Sequence, residues 1–131
     1  MGLFSFGKGE RLHKKKHIQE LFETGSSFYV FPFKVLLLPQ TDQTLPHQVL
    51  LSVSRRNFKR AVDRNLIKRR MREAYRHQKN KLPRTVTLAL GFIYTAKEIL
   101  SLEEIQQKMI LAFGRIEKMA RPPAQKDPHK H

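Results

Sequence analysis

The stretch Lys59 to Arg76, KRAVDRNLIKRRMREAYR, carries Lys59, Arg60, Arg64, Lys68, Arg69, Arg70, Arg72 and Arg76 against only Asp63 and Glu73. A surface helix ordinarily interleaves acids four residues from its bases, so that i,i+4 pairs offset like-charge repulsion. That relief is nearly absent here. The chemistry open to these side chains is phosphate neutralisation. Guanidinium and ammonium groups laid on a polyanion displace its condensed counterions, and the contact also removes their own repulsion. The surrounding charge agrees: thirteen basic residues stand between Arg55 and Arg84, in a chain of 131 residues with a net charge of +15. The sequence pI of about 10.6 points the same way, to a polyanionic partner. A second, smaller cluster comprises Arg11, His13, Lys14, Lys15, Lys16 and His17.

Other chemistry is poorly supplied. The eleven acidic residues form no pair where strand ends would converge on a cleft. With no cysteine there is neither a disulfide framework nor a thiolate metal site. His13 and His17 share an i,i+4 spacing, but no third ligand is suggested. His47 and His77 read as surface residues, and His129 and His131 fall in the tail. There is no glycine-rich phosphate loop and no nucleophile elbow, so the chain is not expected to cut anything by itself.

The elements that must position the basic run can be read from periodicity. Ile18, Leu21 and Phe22 follow helical spacing from about Lys14, with Gly25 as a C-terminal stop. FYVFPFKVLLLP, 28–39, reads as strand, with Pro32 at an edge or at a junction between two short strands. TDQTLP, 41–46, is a turn, and HQVLLSVS, 47–54, a second strand ending in the basic loop RRNFKR. From about Ala61 to Lys81 runs a long helix, in which Ile67, Met71, Ala74, Tyr75 and Leu82 form an apolar stripe about 100° wide. Lys68, Arg69, Arg72, Arg76 and Lys79, with Asn65 among them, share the adjoining face. VTLALGFIY, 86–94, alternates as a half-buried strand. Ser101 and Glu104 make a capping box opening a last helix, whose Leu102, Ile105, Met109, Ala112, Phe113, Ile116 and Met119 keep a core-facing spacing. The expected fold class is α/β (α+β), a two-layer sandwich in the order α-β-β-β-α-β-α. Residues 1–120 read as a single RNA-binding domain and 121–131 as a basic, disordered tail.

No apolar run approaches a membrane span, and the N-terminus lacks the order of charges and apolar residues of a secretory signal, so no membrane partner and a cytoplasmic location are expected. A dimeric basic-region DNA binder would need a heptad zipper after the basic helix, where Pro83 and a strand stand instead. A helix-turn-helix would need a helix directly before it. A basic helix backed onto a sheet with aromatic-rich strands fits RNA, and DNA is not expected as a partner.

At LSVSRR…AVDRNLIKRRMREAYR, residues 51–76, the chain resembles the protein subunit of bacterial ribonuclease P. That family's signature is a strand ending Ser-Val-Ser, a basic loop, then Ala-Val-x-Arg-Asn-Arg-x-Lys-Arg and a continuing basic helix. The likeness extends over about residues 6–118. It implies a sandwich of ribosomal-protein type with the long helix inside a left-handed β-α-β crossover. It also implies an endoribonuclease holoenzyme that removes the 5′ leader from precursor tRNA. The resemblance places catalysis in the RNA subunit, with Mg2+ held mainly by RNA and substrate. By the same resemblance, Arg60, Arg64, Asn65, Lys68 and Arg69 are expected against the catalytic RNA, with Arg72 and Arg76 continuing that face. A groove for the leader would comprise Arg11, Ile18, Phe22, Leu36, Ser52, Ser54, Arg55 and Arg56. Phe22 is either a stacking platform for a leader base or a core anchor.

The sequence also departs from the family pattern. Leu66 stands for the motif's second arginine, a loss that Arg70 could make good. Asp63 stands where an apolar residue or a base is usual, and Ile18 and Leu36 replace aromatics. The alternative reading is a ribosomal or ribosome-associated RNA-binding protein of the same architecture. An independent metal-dependent nuclease is the third.

Overall fold

The computed structural model of the chain describes residues 8–120. Residues 1–7 and the expected tail from Arg121 lie outside them. Seven main elements follow one another: α1 (Lys15–Thr24), β1 (Ser26–Val30), β2 (Phe33–Pro39), β3 (Gln48–Val53), α2 (Ala61–Gln78), β4 (Leu88–Tyr94) and α3 (Leu102–Met119). Short 3-10 turns at Lys8–Glu10 and Lys79–Lys81 accompany them. This is the expected α-β-β-β-α-β-α sandwich. Pro32, joined to Phe31 by a cis peptide bond, marks the junction between two strands. β1, β2 and β4 run antiparallel, and β3 pairs parallel with β4, giving the order β1-β2-β4-β3. The α2 helix therefore sits in the crossover between two parallel neighbours.

Alternation along each strand separates the two sheet faces. One face carries Phe33, Val35, Leu37, Val49, Leu88, Leu90, Phe92 and Tyr94 against Ile67, Met71 and Tyr75 of α2 and Ile105, Met109, Phe113 and Ile116 of α3. Aromatic rings fill its centre. Phe92 stacks on Phe113 with centroids 6.0 Å apart, and Tyr75 meets Phe92 edge-on at 6.2 Å. Burial raises the Tyr75 phenol pKa, with the Glu10 carboxylate adding to the effect.

The opposite face carries a smaller core of Leu12, Leu21, Leu36 and Ala89 beneath α1. Because both faces are covered, β4 is buried along most of its length and not on one side alone. Gly91 makes the close approach of α1 possible, since a Cβ there would stand 3.2 Å from Leu21 Cδ2. Gly25 ends α1 differently from the left-handed cap its position suggests. Its backbone is extended, φ −71° and ψ 153°, and a Cβ would press into the Leu21 carbonyl. At α3 the capping box forms as read: Ser101 accepts from the Glu104 N–H, and Glu104 reaches back to the Ser101 N–H.

Candidate nucleic-acid interface

The α2 helix buries Ile67, Met71, Ala74 and Tyr75, which fixes where its other side chains point. Lys68 and Arg72 follow on the shoulder beside β3, and Arg69 is exposed next to them on the outer face of the helix. Among the described residues none of the three has a carboxylate within ion-pair distance. The acids of the segment are engaged elsewhere. Glu73 pairs with Arg76 and His77, Asp63 stands 3.9 Å from Arg60, and Glu10 holds Lys79 at 2.8 Å. Three cations thus remain uncompensated at the middle of the helix, while its two ends are partly neutralised. Asn65 is exposed on the same shoulder.

Arg64 is used differently. Its Nη1 donates to the carbonyls of Phe58 at 2.7 Å and Lys59 at 2.9 Å, binding the basic loop to the first turn of α2. Arg70 does not replace the arginine missing at Leu66. It lies on the far shoulder and donates to the Leu100 carbonyl at 2.6 Å, in the segment leading to α3.

The N-terminal segment reaches the same region. Arg11 bridges Val49 in parallel fashion, and the Leu12 N–H donates to the Val49 carbonyl at 2.9 Å, so the segment runs along the outer edge of β3. There a cavity of about 210 Å³ is lined by Arg11 and His13 from the segment, Leu50 and Leu51 from β3, and Lys68 and Arg72 from α2. Residues assigned by sequence to two separate surfaces therefore meet at one place. His13 precedes α1, with Nδ1 3.1 Å from the Arg11 carbonyl oxygen, so it and His17 do not share a helical turn.

On the α1 side, Phe22 is 50% exposed, which makes it a surface ring and not a core anchor. Ile18 is half-buried beside the small core. Leu36 requires a correction: at 4% exposure it is sealed under α1 with Leu21 and is not available to line the expected groove. Ser54 is occupied by its own turn, its Oγ accepting from the Arg56 N–H at 3.1 Å and the Asn57 N–H at 3.4 Å. That turn presents Arg55 and Arg56 to solvent, and Ser52 is half-exposed on β3. Sequence reading missed Tyr29 and Lys34. Both are exposed on the sheet face that carries α1, and strict strand alternation from Leu36 would have found Lys34.

His47 is half-buried and not a free surface residue. Its Nδ1 accepts from the Leu88 N–H at 3.0 Å and its Nε2 donates to the Pro83 carbonyl at 2.7 Å, which ties β3 to the return into β4. Burial holds its pKa below the usual imidazole value, although the Pro83 bond opposes the shift.

An α/β sandwich with a cationic helix shoulder that has no carboxylate partners among the described residues has the features of one class, the nucleic-acid-binding proteins. Comparison with known proteins narrows the class. The family model described as Ribonuclease P matches residues 6–117, and the chain belongs to this family. The ribonuclease P protein component of Porphyromonas gingivalis is 30% identical over 119 residues, spanning 86% of this chain and 87% of that one. The component from Petrotoga mobilis is 33% identical over 97 residues, covering 74% and 76%. Among solved structures, the ribonuclease P protein from Thermotoga maritima superposes with a TM-score of 0.69 at 24% identity, over 82% of this chain and 97% of that one. A Staphylococcus aureus ribonuclease P protein gives 0.67 at 23% identity, over 86% and 95%. The structural likeness concerns the fold. Family membership favours a ribonuclease P subunit, with the ribonuclease P RNA as its partner, over a ribosomal protein of similar architecture.

Proposed function

We propose that this protein binds the catalytic RNA of ribonuclease P through the α2 shoulder and holds the 5′ leader of precursor tRNA on the sheet beside α1. The RNA cleaves, and the protein strengthens substrate binding. The observation that carries this reading is the row Lys68, Arg69 and Arg72, which lacks carboxylate partners among the described residues and adjoins the cavity lined by Arg11 and His13. Phosphates arriving there would relieve repulsion that the fold leaves standing. Phe22 offers a ring for a leader base, a contact worth about 1–3 kcal/mol in such sites.

No group of three or more histidine or acidic side chains that could hold a metal ion is found among the described residues. In this reading Mg2+ is bound by phosphates of the RNA and substrate, and no step is assigned to the protein through it. No described helix is long and apolar enough to cross a membrane, and action in the cytoplasm belongs to the same proposal.

Reconstitution tests the proposal. Precursor tRNA is incubated at low Mg2+ with the ribozyme RNA, with and without the protein. Leader removal that depends on both components supports it. Absence of stimulation favours a ribosome-associated role, and cleavage by protein alone an independent nuclease.

A further inference from the structure

Strand register divides the α1 side of the sheet into rows of neighbouring residues. Leu36 of β2 pairs with Gly91 of β4, which pairs with Leu50 of β3, and this row lies under Leu21 of α1. One step further along, Tyr29 pairs with Lys34, Lys34 with Ile93, and Ile93 with Ser52. None of these four is fully buried, and Tyr29 and Lys34 are exposed. At about 4.8 Å between strands the row runs about 14 Å across the sheet. Phe22 is exposed on the neighbouring helix.

The Tyr29 ring is 54% exposed, yet its hydroxyl is not free to swing. It lies 3.1 Å from Thr95 Oγ1, and Thr95 is itself fixed by bonds from its N–H and its hydroxyl to the Pro32 carbonyl at 2.8 and 3.0 Å. An aromatic plate held at its far end loses little freedom when a base stacks on it. Lys34 supplies a cation beside the plate, with no carboxylate in ion-pair range among the described residues. A ring and an adjacent cation on an open surface suit one unit of single-stranded nucleic acid, base on ring and phosphate on ammonium.

We infer that Tyr29 and Lys34 form a further leader subsite toward the β1 edge of the sheet face that carries α1, which engages nucleotides beyond those held beside α1. This inference rests on the leader reading above. The charge is complementary, and the row runs through Ile93 to Ser52, a residue of the expected leader groove. The subsite would make long leaders bind better than short ones, with Lys34 taking a phosphate and Tyr29 a base.

The test compares the affinity of the reconstituted holoenzyme for precursor tRNA with a short leader and with one long enough to cross the sheet. In the wild type the long leader binds more tightly. Tyr29→Ala should shrink that advantage about fivefold or more, as expected for one lost stack. Lys34→Ala should shrink it too and lower the salt slope for the long-leader substrate by about 0.7, whereas Lys34→Arg retains both. A wild-type holoenzyme indifferent to leader length overturns the leader reading and this inference with it. A wild-type advantage that both alanine variants keep, including one in which the two affinities fall together, overturns the subsite alone.

Discussion

Arg64 binds the Phe58 carbonyl at 2.7 Å, so an arginine of the basic run closes the loop that leads into its own helix. With the second bond to Lys59, the guanidinium satisfies two acceptors before any ligand arrives. Arg64→Ala is therefore expected to do two things. It should lower stability by about 1–2 kcal/mol, the scale of partly exposed charge-assisted hydrogen bonds, and weaken RNA binding because the loop carrying Arg55 and Arg56 is released. Denaturant unfolding alongside RNA titration checks this. Unchanged stability would show that the loop bonds contribute nothing.

Phe22 and Leu36 should separate binding from folding. Phe22 is half-exposed, and Phe22→Ala should cost leader affinity with little change in unfolding midpoint. Leu36 is buried beneath Leu21, and Leu36→Ala should cost about 2–4 kcal/mol of stability through the cavity it leaves. Thermal melts and leader binding on both variants decide it. Equal stability losses would contradict the assignment of the two residues to surface and core.

Stability should fall in mild acid through His47. Both ring nitrogens are committed in the neutral form, one accepting from Leu88 and one donating to Pro83, and burial depresses the pKa. A histidine with a depressed folded pKa stabilises the fold above its unfolded pKa of about 6.5, and that contribution is lost as pH falls below it toward the folded value. Denaturant midpoints measured at neutral pH and near about pH 5.5 should differ more for the wild type than for His47→Gln. Identical pH dependence in the two proteins would place the effect on other groups.

The α3 capping box offers a local check. Ser101→Ala removes the acceptor for the Glu104 N–H and should lower the unfolding midpoint by the equivalent of about 1 kcal/mol, with an unchanged denaturant slope. No shift would mean that water replaces the cap without cost.

Much of this architecture was legible in the sequence, for identifiable reasons. The capping box at Ser101 and the Pro32 junction are local signals that appear as read. The apolar stripe of α2 holds for Ile67, Met71, Ala74 and Tyr75, whereas the helix ends at Gln78 and Leu82 is buried beyond it, after a 3-10 turn. The family resemblance rested on one contiguous motif. What escaped was set by tertiary packing. The second covered face of β4, the burial of Leu36 and the embedding of His47 all depend on what lies across from a residue, which spacing along the chain does not encode. Arg70 shows the same limit in the cationic segment. Helical angle separates it from Lys68 and Arg72, yet only the approach of the segment before α3 gives it a carbonyl to bind. Lys34 was within reach of strand alternation, but a lone lysine in an aliphatic strand carries no motif, and its tyrosine neighbour comes from another strand.

The most direct test of the central claim is the salt dependence of binding to the ribonuclease P RNA for the wild type and for Lys68→Ala/Arg69→Ala/Arg72→Ala. All three side chains lack carboxylate partners among the described residues, so their removal should leave the fold intact. The account predicts that the slope of log affinity against log salt falls by about 2–3, at about 0.7–0.9 per lost phosphate contact, with an unfolding midpoint no lower than that of the wild type. A slope identical to the wild type would show that no phosphate lies on this shoulder and would contradict the account.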